Sequence, residues 1–190
     1  MRKECIITSD FEGDVVLTRF VEHLQNEVQL LDPDATLPRL SGRVTIVRPF
    51  YENKIIRPIA LASIKTGWRI LEKLTHHDAE VSQELSFFKK GELDVAYLAV
   101  RLPDHYLLFI KALREVIAEF GEFVPPAYTP KWEPHIPIAK GFGLEAKVRN
   151  LPENSLFKNK KNISFVISDK KPKLESRGKN SEKWEEIVFD

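Results

Sequence analysis

Two short alternating strands, ninety-two positions apart, constrain this chain more than any other feature of its sequence. The first is Arg43-Val44-Thr45-Ile46-Val47-Arg48-Pro49-Phe50, and the second is Pro134-His135-Ile136-Pro137-Ile138-Ala139-Lys140. Residues i and i+2 of a strand share a face. Arg43 and Thr45 therefore point one way and Val44 and Ile46 the other, while His135 and Pro137 oppose Ile136 and Ile138. Each strand can bury its β-branched face in a core and turn its polar face to a cleft.

Each strand also closes a similar cycle. Arg2 to Thr8 reads as a strand, and Ser9 to Asp14 as a turn with Asp14 as N-cap. From Val15 the apolar residues Leu17, Phe20, Val21, Leu24, Val28 and Leu31 recur at three and four, which predicts an amphipathic helix ended by Asp32-Pro33. A linker, Asp34 to Gly42, leads into the Arg43 strand, which Pro49 closes. The second cycle runs from a strand at Val95 to Arg101 into a helix begun by Pro103-Asp104. Leu107, Ile110, Leu113, Ile117 and Phe120 form its expected buried stripe, up to Gly121. A Pro-rich loop, Val124 to Pro130, then delivers the chain to the His135 strand. Asp14 to Arg43 covers 29 positions and Asp104 to His135 covers 31. Such a repeat suggests two similar lobes about a pseudo-two-fold axis; two common βαβ-like units in succession would give the same pattern.

Between the cycles, residues 55–67 permit a short helix after Pro58, whereas Trp68 to Val81 and Glu84 to Phe88 read as two strands with a turn between them, and Lys89-Lys90-Gly91 as a turn after them. Near the C-terminus, Ile163 to Ile167 and Trp184 to Phe189 read as a strand pair joined by a long polar loop. Lys147 to Trp184 holds eleven Lys or Arg against four Asp or Glu, which fits either a solvated hairpin tip or a basic flap over an anionic ligand.

Composition sets outer limits. A chain of 190 residues, 43% hydrophobic and 30% charged, is long enough for a proper interior. Its net charge of +1 gives no global field, so no DNA duplex is expected as a partner and any nucleic acid would be small or gripped locally. The one cysteine, Cys5, lies in the apolar run Cys5-Ile6-Ile7 and has no partner for an internal disulfide, so a buried, inert thiol in a reducing cytoplasm is expected. No window approaches the roughly 20 apolar residues of a membrane span, and a soluble protein without a membrane partner is the expectation.

The order of elements, together with the two strands, resembles the 2H phosphoesterase superfamily in its 2'-5' RNA ligase-like and cyclic phosphodiesterase branch. In that family two βαβ-containing lobes each supply one His-x-Thr/Ser motif to a central cleft. The second motif is similar to Pro134-His135-Ile136-Pro137, and the first to Arg43-Val44-Thr45-Ile46-Val47 with the following Pro49-Phe50. Arg43 stands where the family has the first histidine, and Pro137 where it has the second hydroxyl residue. The resemblance implies an α+β fold of two pseudo-symmetric lobes, each an antiparallel sheet with a packed helix, flanking a central cleft. It implies a single bilobal domain over residues 1–190, with lobe-like repeats at about 3–50 and 93–140 and a C-terminal strand pair at 160–190. The substrate it implies is a 2',3'-cyclic or 2'-5' phosphodiester of a small nucleotide or RNA terminus, and it implies no metal or organic cofactor. His135 would be the acid/base, Thr45 a donor to phosphate oxygens and Arg43 an electrostatic clamp.

The substituted positions decide how much chemistry remains. Proton transfer near neutral pH needs a group such as imidazole. A guanidinium, with its pKa above about 12, cannot exchange protons in this way but can hold a phosphate bidentately and stabilise a pentavalent transition state. Loss of one of two proton-transfer groups forfeits about 10²–10⁴-fold in rate. An impaired phosphoesterase is therefore expected, with a non-catalytic nucleotide- or RNA-phosphate-binding pseudoenzyme, or an interaction protein of the same fold, as the alternative.

Other residues are open to two readings. Arg48 is a further phosphate-contact candidate or a surface ion-pair partner, and Tyr128 and Trp132 can stack on a base or close the core. His76-His77-Asp78 has two ligand types on one strand face but no third at a telling spacing, so a surface strand is the simpler reading. His23 and His105 read as structural, and Gly141-Phe142-Gly143 as a turn rather than a phosphate loop.

Overall fold

The computed structural model describes residues 3–10, 14–38, 43–74, 78–124, 134–151, 162–166, 171–178 and 185–187. In chain order the elements are β1 (Glu4–Asp10), α1 (Val15–Leu31), β2 (Arg43–Tyr51), α2 (Ile56–Leu71), β3 (Asp78–Lys90), β4 (Leu93–Arg101) and α3 (Asp104–Phe120). They continue with β5 (Glu122–Phe123), β6 (His135–Gly141), α4 (Leu144–Arg149), β7 (Asn162–Val166), β8 (Lys173–Arg177) and β9 (Glu185–Glu186). Among the described residues the strands form one sheet in the order β7-β3-β4-β6-β2-β1-β8-β9, with β5 added to β2. Its pairings are antiparallel, which leaves one face free to be polar while the other packs on helices.

The alternation read in β2 and β6 determines which face is which. Val44, Ile46, Ile136 and Ile138 are buried, and so are Ala96, Leu98 and Val100 of β4 between them and β3. Helix α1 lays its stripe of Leu17, Val21, Leu24 and Val28 on β6, while α3 packs Tyr106, Phe109, Ile110, Leu113 and Ile117 toward β2, β5 and α2. Each such side chain contributes about 1.5–3 kcal/mol on burial. Thus the helix of each cycle packs on the strand that closes the other cycle. Two polar contacts fix the exchange: buried Gln25 of α1 donates to the Ile138 carbonyl at 3.2 Å, and Ser9 of β1 meets the Tyr106 hydroxyl of α3 at 2.7 Å. Asp14 caps α1 as its sequence predicts, accepting from the Leu17 amide at 2.8 Å.

Several segments differ from their sequence reading. Trp68 is not in a strand but ends the apolar stripe of α2, with Ile56, Ala60 and Ile64 before it and Leu71 after it. Burial of that stripe overrides the β propensity of Trp68-Arg69-Ile70. Strands form at both C-terminal apolar runs, yet they are not partners: β7 pairs with β3 and β9 with β8, at opposite ends of the sheet. Leu107 and Phe120, expected in the α3 stripe, are each 42% exposed, and Tyr106 and Phe109 carry the packing instead. Gly67 sits where α2 and α3 touch; a Cβ there would come 2.3 Å from the Phe109 ring, so the usual helical advantage of alanine over glycine is reversed at this position.

Helix α4 is anchored from β4. The buried Asp94 carboxylate accepts from the Glu145 amide at 3.0 Å and lies against the Lys89 ammonium. Burial pushes this carboxyl up, but the Lys89 contact and the amides of Glu145 and Leu144 outweigh it and hold it below the usual aspartate range. A carboxyl depressed in the folded state stabilises fully above its unfolded value, about 3.9, and loses that contribution as pH falls through the folded value. Asp94→Asn should therefore melt below the wild type at pH 7, and the difference should close as the pH is lowered past about 3.9, read by thermal melts across a pH series. Cys5 is 1% exposed, and burial pushes its thiol up to about 12. The native protein should resist a thiol reagent such as iodoacetamide and react only on unfolding, as mass spectrometry would show.

Candidate functional site

The two motif strands meet at one register position, and it pairs Thr45 with His135. Directly opposed residues of an antiparallel pair lie about 4.5–5.5 Å apart at Cα and project from the same face. The pairing extends on both sides: Thr45 is also the partner of Thr8 in β1, Thr8 that of Lys173 in β8, and His135 that of Ala99 in β4. Lys173, Thr8, Thr45, His135 and Ala99 therefore form one row across five strands. Their neighbours Val44, Ile136 and Leu98 point to the helices, so this row lies on the opposite face, which is half-open at Thr45, His135 and Ala99 and closed over Thr8. Thr45 and His135 are half-buried there, reachable yet partly screened.

Each member of the row has a distinct surrounding. The Thr8 hydroxyl is committed, donating to the buried Glu175 carboxylate at 3.0 Å. The Thr45 hydroxyl makes no side-chain hydrogen bond among the described residues and is free to donate to an incoming oxygen. His135 stands between two aromatic edges, with Tyr97 at 5.3 Å and 64° and Phe88 at 6.0 Å and 73° between ring centroids. Tyr97 and Phe88 also touch each other at 5.5 Å, which closes a three-ring cluster around the imidazole. Lys173 is half-buried, with its ammonium 3.6 Å from Glu186. An uncommitted hydroxyl beside a held imidazole suits a tetrahedral oxyanion: one group donates to a non-bridging oxygen and the other moves a proton.

The remaining sequence candidates are distributed as follows. Arg43 opens β2 as the partner of Asp10, and its side chain lies outside the described residues, as do Tyr128, Trp132, His76, His77 and most of the basic C-terminal segment. Arg48 lies past the irregular register of β2, with its guanidinium 4.3 Å over the Phe123 ring. Its Nε is buried without a hydrogen-bond partner, and burial together with the charge of Arg114 on α3 lowers its pKa. Neither contact brings it to the Thr45–His135 row. His23 is exposed and His105 half-buried in α3. Among the described residues no three His, Cys, Asp or Glu side chains cluster as a metal would require, and no helix is long and apolar enough to cross a membrane.

Sequence reasoning missed Thr8, Phe88, Tyr97 and Glu175. A polar residue at the end of the apolar run Cys5-Ile6-Ile7-Thr8 was a usable signal, and so was Tyr97 at an outward position of β4; the buried Glu175, inside a charged stretch, offered none.

No family model and no curated protein matches the sequence. Among solved structures, Usb1 of Kluyveromyces marxianus superposes with a TM-score of 0.50 at 9% identity, over 92% of this chain and 93% of that one. The fold is 2H phosphoesterase-like. A second structure of Usb1, with uridine monophosphate, gives a TM-score of 0.49 at 9% identity over 94% and 95% of the two chains. At such identity the likeness is one of fold, and the chemistry of a 2H-like scaffold must be argued from the residues in its cleft.

Tyr97 and Phe88 should hold the imidazole in one orientation. Tyr97→Ala should shift and broaden the His135 ring resonances in NMR spectra while Tyr97→Phe leaves them nearly in place. The alanine variant should lose about 2 kcal/mol or less of stability, since the ring is only half-buried.

Proposed function

We propose that this chain is a 2H-type phosphoesterase of reduced activity, which binds a 2',3'-cyclic or 2'-5' phosphodiester at a nucleotide or RNA end in the cytoplasm. The observation that carries the reading is the direct pairing of Thr45 with His135 on the open face of the sheet. Thr45 donates its hydroxyl to a non-bridging phosphate oxygen. His135 takes the proton from the attacking water or hydroxyl, or, when protonated, delivers one to the leaving oxygen. Arg43, two residues before Thr45 in the same strand, supplies fixed positive charge to the phosphoryl oxygens.

One imidazole can serve only one end of the displacement at a time, so the second proton passes to or from solvent. That predicts turnover about 10²–10⁴-fold below a site with two such groups. Pro137, at the position where the resemblance expects a hydroxyl, has no donor and adds nothing to the oxyanion. The substitution of Arg43 favours a second reading, a module that holds the phosphate without turning it over.

Incubation with 2',3'-cyclic nucleotides and 2'-5' linked dinucleotides, with calorimetric titration of the same compounds, separates the two. The enzyme predicts slow turnover that His135→Ala abolishes, and affinity that Thr45→Val lowers roughly 10–100-fold, the effect of one hydrogen bond to a charged group. Arg43→His with Pro137→Thr should raise turnover. Binding lost in Arg43→Ala, without turnover in the wild type, would establish the binding module instead. Absence of any binding would remove both.

A further inference from the structure

A phosphodiester has two non-bridging oxygens, and the Thr45 hydroxyl can serve one of them. Thr45 stands on the β2 side of His135. On the other side lies β4, where Ala99 is the partner of His135 and Tyr97 that of Pro137. Positions 97 and 99 of β4 and 135 and 137 of β6 share the face of Thr45, and all four are half-buried there, while Leu98 and Ile136 are buried on the opposite face. Two of the four have no donor to give, since Pro137 is a ring of methylenes and Ala99 a methyl group. The small side chain at Ala99 leaves room for the Tyr97 ring to lean on the imidazole, and the two ring centroids lie 5.3 Å apart at 64°.

That ring contact leaves the Tyr97 hydroxyl uncommitted. It makes no hydrogen bond among the described residues and is not enclosed, so it reaches solvent on the face of His135. Neighbouring hydroxyls are already engaged: Thr8 donates to Glu175, and Ser9 meets the hydroxyl of Tyr106. Phe88, the third ring of the cluster, has no polar group. Adjacent strands lie about 4.8 Å apart, so β2 and β4 flank β6 at roughly 10 Å from each other. A phosphoryl group seated over β6 beside His135 therefore has Thr45 on one side and Tyr97 on the other. A phenolic O–H donates as a threonine O–H does.

We propose that Tyr97 is a further catalytic residue of this site, whose hydroxyl donates to the second non-bridging oxygen, opposite the one held by Thr45. It stabilises the charge that gathers on that oxygen as the pentavalent transition state forms. The tyrosine keeps its proton throughout, and His135 remains the group that moves one. The proposal rests on the reading of the Thr45–His135 row as the phosphate site.

Tyr97→Phe tests it, because it removes the hydroxyl and keeps the ring; an unchanged melting temperature and unchanged His135 ring resonances establish that the imidazole is still held. With a 2',3'-cyclic nucleotide the variant should lose roughly 10–100-fold in kcat/KM, the effect of one hydrogen bond to a charged group, with most of the loss in kcat. A uridine–vanadate complex, a five-coordinate mimic of the transition state, reads the same contact without turnover, and Tyr97→Phe should weaken its binding about tenfold or more. Turnover and vanadate affinity within twofold of the wild type would mean that Tyr97 acts only through its ring, which overturns the proposal. Failure of the wild type both to bind uridine–vanadate and to turn over the cyclic nucleotide overturns instead the reading of the Thr45–His135 row, and the role of Tyr97 falls with it.

Discussion

The antiparallel pairing of β2 with β6 is the contact on which the rest of the structure depends. β6 is held by β4 on its other edge and β2 by β1, so this seam joins what would otherwise be two separate sheets. The seam is short, with Thr45 and His135 as its register pair, and the exchanged helices reinforce it: α1 covers β6 and α3 covers β2. A register slip of one residue by either strand would invert that strand alone, turning Thr45 inward and Ile46 outward in β2 or His135 inward and Ile136 outward in β6. The burial that stabilises the seam therefore also specifies which polar side chains face each other.

Much of this was legible because the controlling patterns are local. The period-2 alternation of β2 and β6, the three-four spacing of α1 and α3 and the Asp14 cap all follow from residues close in sequence. What was not legible depends on distant partners. Helix α4 has six residues, too few to show a period, and its start depends on Asp94, about fifty positions earlier. Strand β8 reads Lys-Leu-Glu-Ser-Arg, a polar run by composition, yet Glu175 is buried and accepts from the Thr8 hydroxyl of β1. The aromatic setting of His135 is likewise a product of sheet order, since Phe88 and Tyr97 come from two strands that no local pattern ties to β6.

The cleft is chemically asymmetric. On one side of His135 lies Thr45, followed by Thr8, whose hydroxyl is committed to Glu175; on the other lie the rings of Tyr97 and Phe88. Within the row a single imidazole, that of His135, stands directly opposite the hydroxyl of Thr45.

The account stands or falls on whether a phosphate sits between Thr45 and His135. The most direct measurement is an NMR titration with inorganic phosphate and then a nucleoside 2',3'-cyclic monophosphate, following the Thr45 amide and the His135 ring. The account predicts saturable shifts concentrated at these two residues and at Thr8 and Ala99 beside them, larger for the nucleotide than for phosphate. Shifts that leave the Thr45 and His135 signals in place, while moving others, would contradict it.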